Sequence, residues 1–124
     1  MAEFGYPRAL RLLTPGDFKR VFDRATLKVS DPSLLILARQ NELGHPRLGF
    51  VISKKNVRRA VNRSHIRHII RESFRLRQHQ LPNVDIIILA RKGLDTFDNK
   101  ELKNLIERSW SRLERKASNA QNDN

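Results

Sequence analysis

Five arginines, Arg59, Arg63, Arg67, Arg71 and Arg75, recur at every fourth position of a chain that holds no cysteine. At 3.6 residues per turn this spacing drifts only about 40° per step, so on a helix the five guanidinium groups form one slowly winding ridge. Like charges at that interval repel, and a solvated helix face ordinarily alternates its signs so that neighbours pair. Here residues 54–77 carry nine cations, Lys54, Lys55, Arg58, Arg59, Arg63, Arg67, Arg71, Arg75 and Arg77, against the single acid Glu72. That net +8 is two thirds of the whole chain's +12, which comes from 25 Lys and Arg against 13 Asp and Glu. An excess so concentrated reads as a surface for a polyanion, with nucleic acid first among them. Arginine suits the task because its planar fork holds phosphate oxygens bidentately or stacks on a base. A basic helix could enter the major groove of DNA, but no second helix directly precedes it as a helix-turn-helix requires, so the expected partner is a folded RNA and not DNA.

The remaining chemistry is sparse. Phe18 and Phe22 lie one helical turn apart beside Lys19 and Arg20. Two readings stay open for them: core packing, as aromatic residues at i and i+4 usually do, or a stacking platform for an unpaired strand beside cations. With six Phe, one Tyr and one Trp in the chain, an extended base-stacking surface is not expected, so backbone contacts should dominate. His65 and His68 are three apart and could face one ion, but no third ligand is evident and the surrounding arginines repel cations, so no metal site is expected. Ser53, Ser64 and Ser73 have no readable base and orienting acid, and no glycine-rich phosphate loop occurs. The absence of cysteine removes disulfides, thiolate nucleophiles and Cys-based metal sites. These absences describe a scaffold or cofactor protein without catalytic residues of its own.

These residues need a frame. At 124 residues and 14.5 kDa with 39% hydrophobic residues, the chain is sized for one core and one domain, expected over residues 1–116. Thr14-Pro15-Gly16-Asp17 is a helix start, and Phe18, Val21, Phe22 and Ala25 continue it over about 15–25. Leu27–Ser30 and Ser33–Ala38 read as strands joined by a tight turn at Asp31-Pro32, and Leu48–Ser53 as a third beyond the loop 39–46. The basic helix spans about Val57–Gln78 with Asn56 as its cap, and Ile66, Ile69, Ile70 and Phe74 form its apolar face. Val84–Ala90, oily on both faces, reads as the central strand. A last helix starts near Asp98 or Asn99 with Glu101 completing the cap and Leu102, Leu105, Ile106, Trp110 and Leu113 on one stripe. The polar tail 117–124 is expected to be disordered. The order is αβββαβα, an α+β fold with helices on a four-stranded sheet. No apolar run approaches the roughly 20 residues that cross a bilayer, and Met1–Arg11 carries Glu3 and no signal-peptide block. The expected setting is the cytoplasm, without a membrane.

The stretch Arg47–Arg75, RLGFVISKKNVRRAVNRSHIRHIIRESFR, resembles the signature of the bacterial ribonuclease P protein component. Arg11–Phe18 (RLLTPGDF) is similar to that family's lead into its first helix, His45–Gly49 (HPRLG) to the start of its third strand, and Leu81 to Gly93 to its last strand and following turn. The likeness spans nearly the whole chain. It implies a protein, one per RNA, that binds a large catalytic RNA and assists endonucleolytic removal of the 5′ leader from precursor tRNA, with hydrolysis and its Mg²⁺ belonging to the RNA and no cofactor on the protein. The resemblance further implies a left-handed crossover between the third and fourth strands, against the usual rule. It places Phe18, Phe22, Lys54, Arg91 and Lys92 at a leader-binding cleft, and Lys55, Arg58, Arg59, Arg63, His65, Arg67, His68, Arg71 and Arg75 on the surface for the catalytic RNA. One departure stands out. The family's helix motif reads Arg-Asn-Arg, an aliphatic residue, then Lys-Arg, whereas Arg63–His68 reads RSHIRH, with Ser64 for an amide and His65 and His68 for arginines. An unperturbed histidine is mostly neutral at pH 7, so up to about two charges are weakened, and nearby phosphate restores part of them. A structural ribosomal-type RNA-binding protein is the alternative, and a nuclease acting alone is not expected.

Overall fold

A computed structural model describes residues 10–11 and 14–122. Helix α1 spans Pro15–Arg24. Thr14 caps it: its Oγ1 accepts from the Asp17 N–H at 3.1 Å, and the Asp17 carboxylate accepts from the Thr14 N–H at 3.3 Å. That reciprocal pair satisfies two N–H groups the helix cannot bond internally. Strands β1 (Leu27–Ser30) and β2 (Leu34–Gln40) follow, joined by a turn in which Asp31 Oδ1 accepts from the Ser33 N–H. Strand β3 is Arg47–Val51, helix α2 Ala60–Arg77, strand β4 Val84–Ala90 and helix α3 Asn99–Asn122. Asp98 and Glu101 exchange backbone-to-carboxylate bonds at the start of α3, the expected cap. A 3-10 turn at Leu94–Thr96 lies between β4 and α3. Gly93 precedes it at φ +100°, a backbone conformation without steric cost only for glycine.

Several expectations change, beginning with the second strand, expected to end at Ala38, which pairs with β4 through Gln40. The third strand was expected to run to Ser53, but the Ser53 carbonyl accepts from the N–H groups of Asn56 and Val57 and turns the chain. The basic helix was expected to start at Val57 under an Asn56 cap. Instead Val57 is fully buried, the Asn56 amide donates to the Ala90 carbonyl at 2.9 Å, and Arg59 occupies the cap position without a side-chain cap bond. Burial of Val57 outweighs another half-turn of helix. Residues 117–122, expected to be disordered, continue α3, where Ala117 packs against the core.

The sheet order is β1-β2-β4-β3, with β1–β2 and β2–β4 antiparallel and β3–β4 parallel. β4 is central, as its doubly apolar pattern predicts. Its alternate residues Val84, Ile86, Ile88 and Ala90 join the main core with Leu34, Ile36 and Ala38 of β2 and the buried faces of α2 and α3. Trp110 and Phe74 meet there with ring centroids 6.1 Å apart, and Trp110 Nε1 donates to Ser73 Oγ. The other face of β4 carries Asp85, Ile87 and Leu89, and α1 lies on it through Val21 and Phe18. No helix among the described residues is long and apolar enough to cross a membrane.

One polar junction fixes α1. Asp85, only 4% exposed, accepts from Arg47 Nε at 2.8 Å and Nη2 at 2.7 Å, and from the Asn41 amide at 2.9 Å. Arg47 also lies 3.6 Å from Asp17 of the α1 cap. The Asp85 hydrogen bonds hold the Arg47 guanidinium above its usual pKa, against the opposing effect of burial. The junction thus ties the start of α1 to the starts of β3 and β4. Breaking a buried pair from one side strands the other charge, so Asp85→Ala is expected to lower unfolding stability by about 3–5 kcal/mol. Urea denaturation checks this, and a loss under about 1 kcal/mol would show that the junction carries little of the fold.

Candidate nucleic-acid interface

Both ends of α1 are held at one end of the sheet. Its first turn sits at Arg47 and Asp85, where β3 and β4 begin, and the chain leaves it through Thr26, whose N–H donates to the Ala38 carbonyl near the end of β2. The opposite end of that sheet face, where β3 and β4 finish, is only partly covered. Half-buried Leu89 and its exposed register partner Val51 lie there beside half-buried Leu35, while Leu37, opposite Ile87, lies under α1. The result is a cleft with an apolar floor and α1 as one wall.

Cations gather where the cleft opens. Because β3 and β4 are parallel, the turn after β3 and the turn after β4 emerge side by side, and the Asn56–Ala90 bond fastens them together. Lys54, Lys55, Arg58 and Arg59 come from the first turn and Lys92 from the second, all exposed and none in an ion pair among the described residues. The family resemblance implies Lys54, Arg91 and Lys92 near one cleft, and the structure brings the three to one end of the sheet. Arg91 is turned sideways: Nη1 donates to Ser30 Oγ at 3.0 Å and to the Asp31 carbonyl at 2.7 Å.

The two phenylalanines, for which core and platform readings both stood open, divide between them. Phe18 is half-buried against the Val21–Ile87 cluster, a packing role. Phe22, one turn on, keeps 45% of its surface exposed, so a ring stands available at the cleft wall for stacking.

The arginine ridge also divides. Arg63 Nη1 donates to the carbonyls of Val57 and Arg58, bracing the turn before α2. Arg75 pairs with Glu72 at 3.0 Å, and its hydrogen bonds hold the Glu72 carboxyl below the usual carboxylate range against the opposing effect of burial. Arg67 makes no hydrogen bond or ion pair among the described residues, and Arg71 lies one turn beyond it on the same flank. His65 is not on that flank. It sits about 200° around the helix from Arg67, its Nε2 donates to Asn99 Oδ1 of α3, and with His68 it lines a groove between α2 and α3. Arg77, the ninth cation of the basic stretch, is spent on structure: Nε and Nη2 hold Glu114 at 2.8 and 3.1 Å, and Nη1 reaches Glu107 at 3.4 Å.

Sequence reasoning missed the Arg47–Asp85 junction, because the partners are 38 positions apart and only strand register brings them together. The one signal was an acid inside an otherwise apolar strand.

Comparison with known proteins is consistent across sequence and structure. The sequence model of the family described as Ribonuclease P matches residues 6–114. A ribonuclease P protein component of Chromohalobacter salexigens is 55% identical over 115 residues, covering 93% of this chain and 90% of that protein. One from Escherichia coli K12 is 47% identical over 112 residues, covering 90% and 93%. Among solved structures, the Staphylococcus aureus RNase P protein superposes with a TM-score of 0.76 at 29% identity, covering 82% of this chain and 93% of that one. The Thermotoga maritima RNase P protein gives 0.65 at 28% identity, covering 79% and 96%.

The different environments of the two rings have a measurable consequence. Phe18→Ala is expected to cost about 1–3 kcal/mol of folding stability, as removal of a half-buried ring does. Phe22→Ala should stay within about 1 kcal/mol of the parent. Equal losses in thermal or urea unfolding would contradict the division.

Proposed function

The chain belongs to the ribonuclease P protein family and is the protein subunit of that endoribonuclease; on that premise we propose how its two surfaces serve the holoenzyme. The ribonuclease P RNA is its partner, and the ribosomal-type reading is not favoured, since the family match spans nearly the whole fold. In this proposal the cleft takes the single-stranded 5′ leader of precursor tRNA. The exposed Phe22 ring stacks on a base, Val51 and Leu89 offer an apolar floor, and Lys54 and Lys92 meet backbone phosphates at the open end. Arg91, held by Ser30 and Asp31, presents its remaining donors at the rim. Such a site is tolerant of sequence, because every base has a stacking face and every nucleotide a phosphate.

The second surface binds the catalytic RNA. Lys55, Arg58 and Arg59 at the start of α2 and Arg67 and Arg71 along it lie on elements that meet the cleft's basic end, so leader and catalytic RNA are held next to each other. Arg63 and Arg75 support this surface through the turn and through Glu72. His65 and His68 contribute from its far side, next to α3. Phosphodiester hydrolysis belongs to the RNA and the Mg²⁺ it uses. The protein's side chains bind the leader, orient it and offset phosphate repulsion.

The observation that carries the leader reading is Phe22, an aromatic ring left exposed on the wall of a basic-ended cleft. In holoenzyme reconstituted with a bacterial ribonuclease P RNA, Phe22→Ala is expected to weaken binding of leader-bearing precursor roughly 5- to 150-fold, the value of one base stack. Mature tRNA should bind as before, and equal loss for both refutes the cleft's role. For the second surface, Arg67→Ala with Arg71→Ala should weaken binding to the catalytic RNA. The double-logarithmic salt slope should become shallower by about 0.7–0.9 for each phosphate that is no longer neutralised. An unchanged slope would exclude this flank of α2 from the RNA interface.

A further inference from the structure

Arg108, Arg112 and Arg115 of α3 belong to neither basic surface described above. Their spacing of four and three residues puts them on one helix face. The acids of α3 are turned elsewhere: Glu101 closes the N-terminal cap, while Glu107 and Glu114 hold Arg77 of α2. Charge on α3 is therefore segregated, with acids committed toward α2 and arginines along the side that borders β1.

This arginine face meets the cleft rim at one turn. Arg112 Nη1 donates to the Ser30 carbonyl at 3.3 Å, and Arg91 Nη1 donates to the hydroxyl of the same residue at 3.0 Å. A recess of about 250 Å³ opens between α3 and the β1–β2 turn, lined by Asp31, Ser109 and the three arginines among others. Its one acid, Asp31, has Oδ1 engaged by the Ser33 N–H. Arg91, Arg108, Arg112 and Arg115 form no ion pair among the described residues. Neighbouring like charges on a helix are mildly destabilising, and an anion beside them removes that cost. No exposed large apolar side chain borders the recess among the described residues, so it lacks the anchor a protein partner would bury. Arginine forks around a polar recess match phosphodiester oxygens.

We propose that Arg91, Arg108, Arg112 and Arg115 form a further phosphate-binding surface, running from the cleft rim around the β1–β2 turn onto α3, that takes RNA backbone. The phosphates come either from leader nucleotides upstream of those in the cleft or from a second segment of the catalytic RNA. The leader source rests on the cleft reading above.

The test uses the full chain in reconstituted holoenzyme, with Arg108→Gln and Arg115→Gln combined. Both side chains are exposed, and Arg112 keeps its bond to Ser30. Lys100→Gln with Lys103→Gln removes the same charge from the exposed start of α3 as a control. Affinity across salt is measured for the catalytic RNA and for precursors with short and long leaders, after circular dichroism confirms folding. The arginine variant is expected to flatten the salt slope by roughly 1.4–1.8, two phosphates' worth, while the control does not. A change confined to long leaders identifies the leader as the source; a change in catalytic-RNA binding identifies the RNA subunit. Unchanged slopes for every ligand, or an equal change in the lysine control, overturn the proposal. Phe22→Ala with short leaders runs in parallel, so the cleft reading and this surface can fail separately.

Discussion

The bidentate pair between Arg47 and Asp85 is the constraint from which the rest of the architecture follows. It buries an acid in the central strand and satisfies it with two guanidinium bonds and the Asn41 amide. Through Arg47 it reaches Asp17, which is also half of the α1 capping box. The apolar hold on α1 is small: Val21 is its one buried residue, against Ile87, with Phe18 half-buried beside them. A helix with so small an apolar footprint would slide on a flat sheet, because dispersion and burial are non-directional. The charged junction supplies direction. It pins α1 across the end where β3 and β4 begin and leaves the other end open, and that opening is the cleft.

The same molecule shows what happens to cations when acids are and are not supplied. Along the seam between α2 and α3, Arg77 lies between Glu107 and Glu114 and serves packing. In the turns after β3 and β4, Lys54, Lys55, Arg58, Arg59 and Lys92 have no such partners among the described residues. A net charge of +12 opposes compaction less when its unpaired members stand at the surface in high dielectric, where two charges 4 Å apart in water interact by only about 1 kcal/mol. Parallel pairing of β3 and β4 concentrates them, because two strands that point the same way release their following turns at the same edge. RNA recognition here is therefore built from sheet topology as much as from residue type.

Much of this was legible beforehand. Capping at Thr14 and Asp98, the limits of β1 and β4, and the centrality of β4 are local or periodic signals, and the chain's own pattern carries them. Asn56 shows where local reasoning fails. It is a good cap residue by type, yet its amide bonds to Ala90, 34 positions away, because Val57 gains more from the core than a longer helix offers. His65 shows the same limit at the site: four-residue spacing describes the arginine ridge correctly, but only the position of α3 decides that this histidine faces Asn99.

Sequence by itself determined the inventory: one α+β core, a basic helix, two aromatic residues one turn apart, no thiol chemistry, and a family signature across the chain. Each is a property of residue type and of spacing within one element, which periodicity and composition encode directly. Tertiary structure alone decided which arginines are spent on the fold and which are left for a ligand, which phenylalanine is packed and which exposed, and where the cleft opens. Those outcomes depend on partners far apart in the chain, such as Arg47 with Asp85 and Arg77 with Glu114. Strand register and helix packing create such encounters, and no local pattern records them.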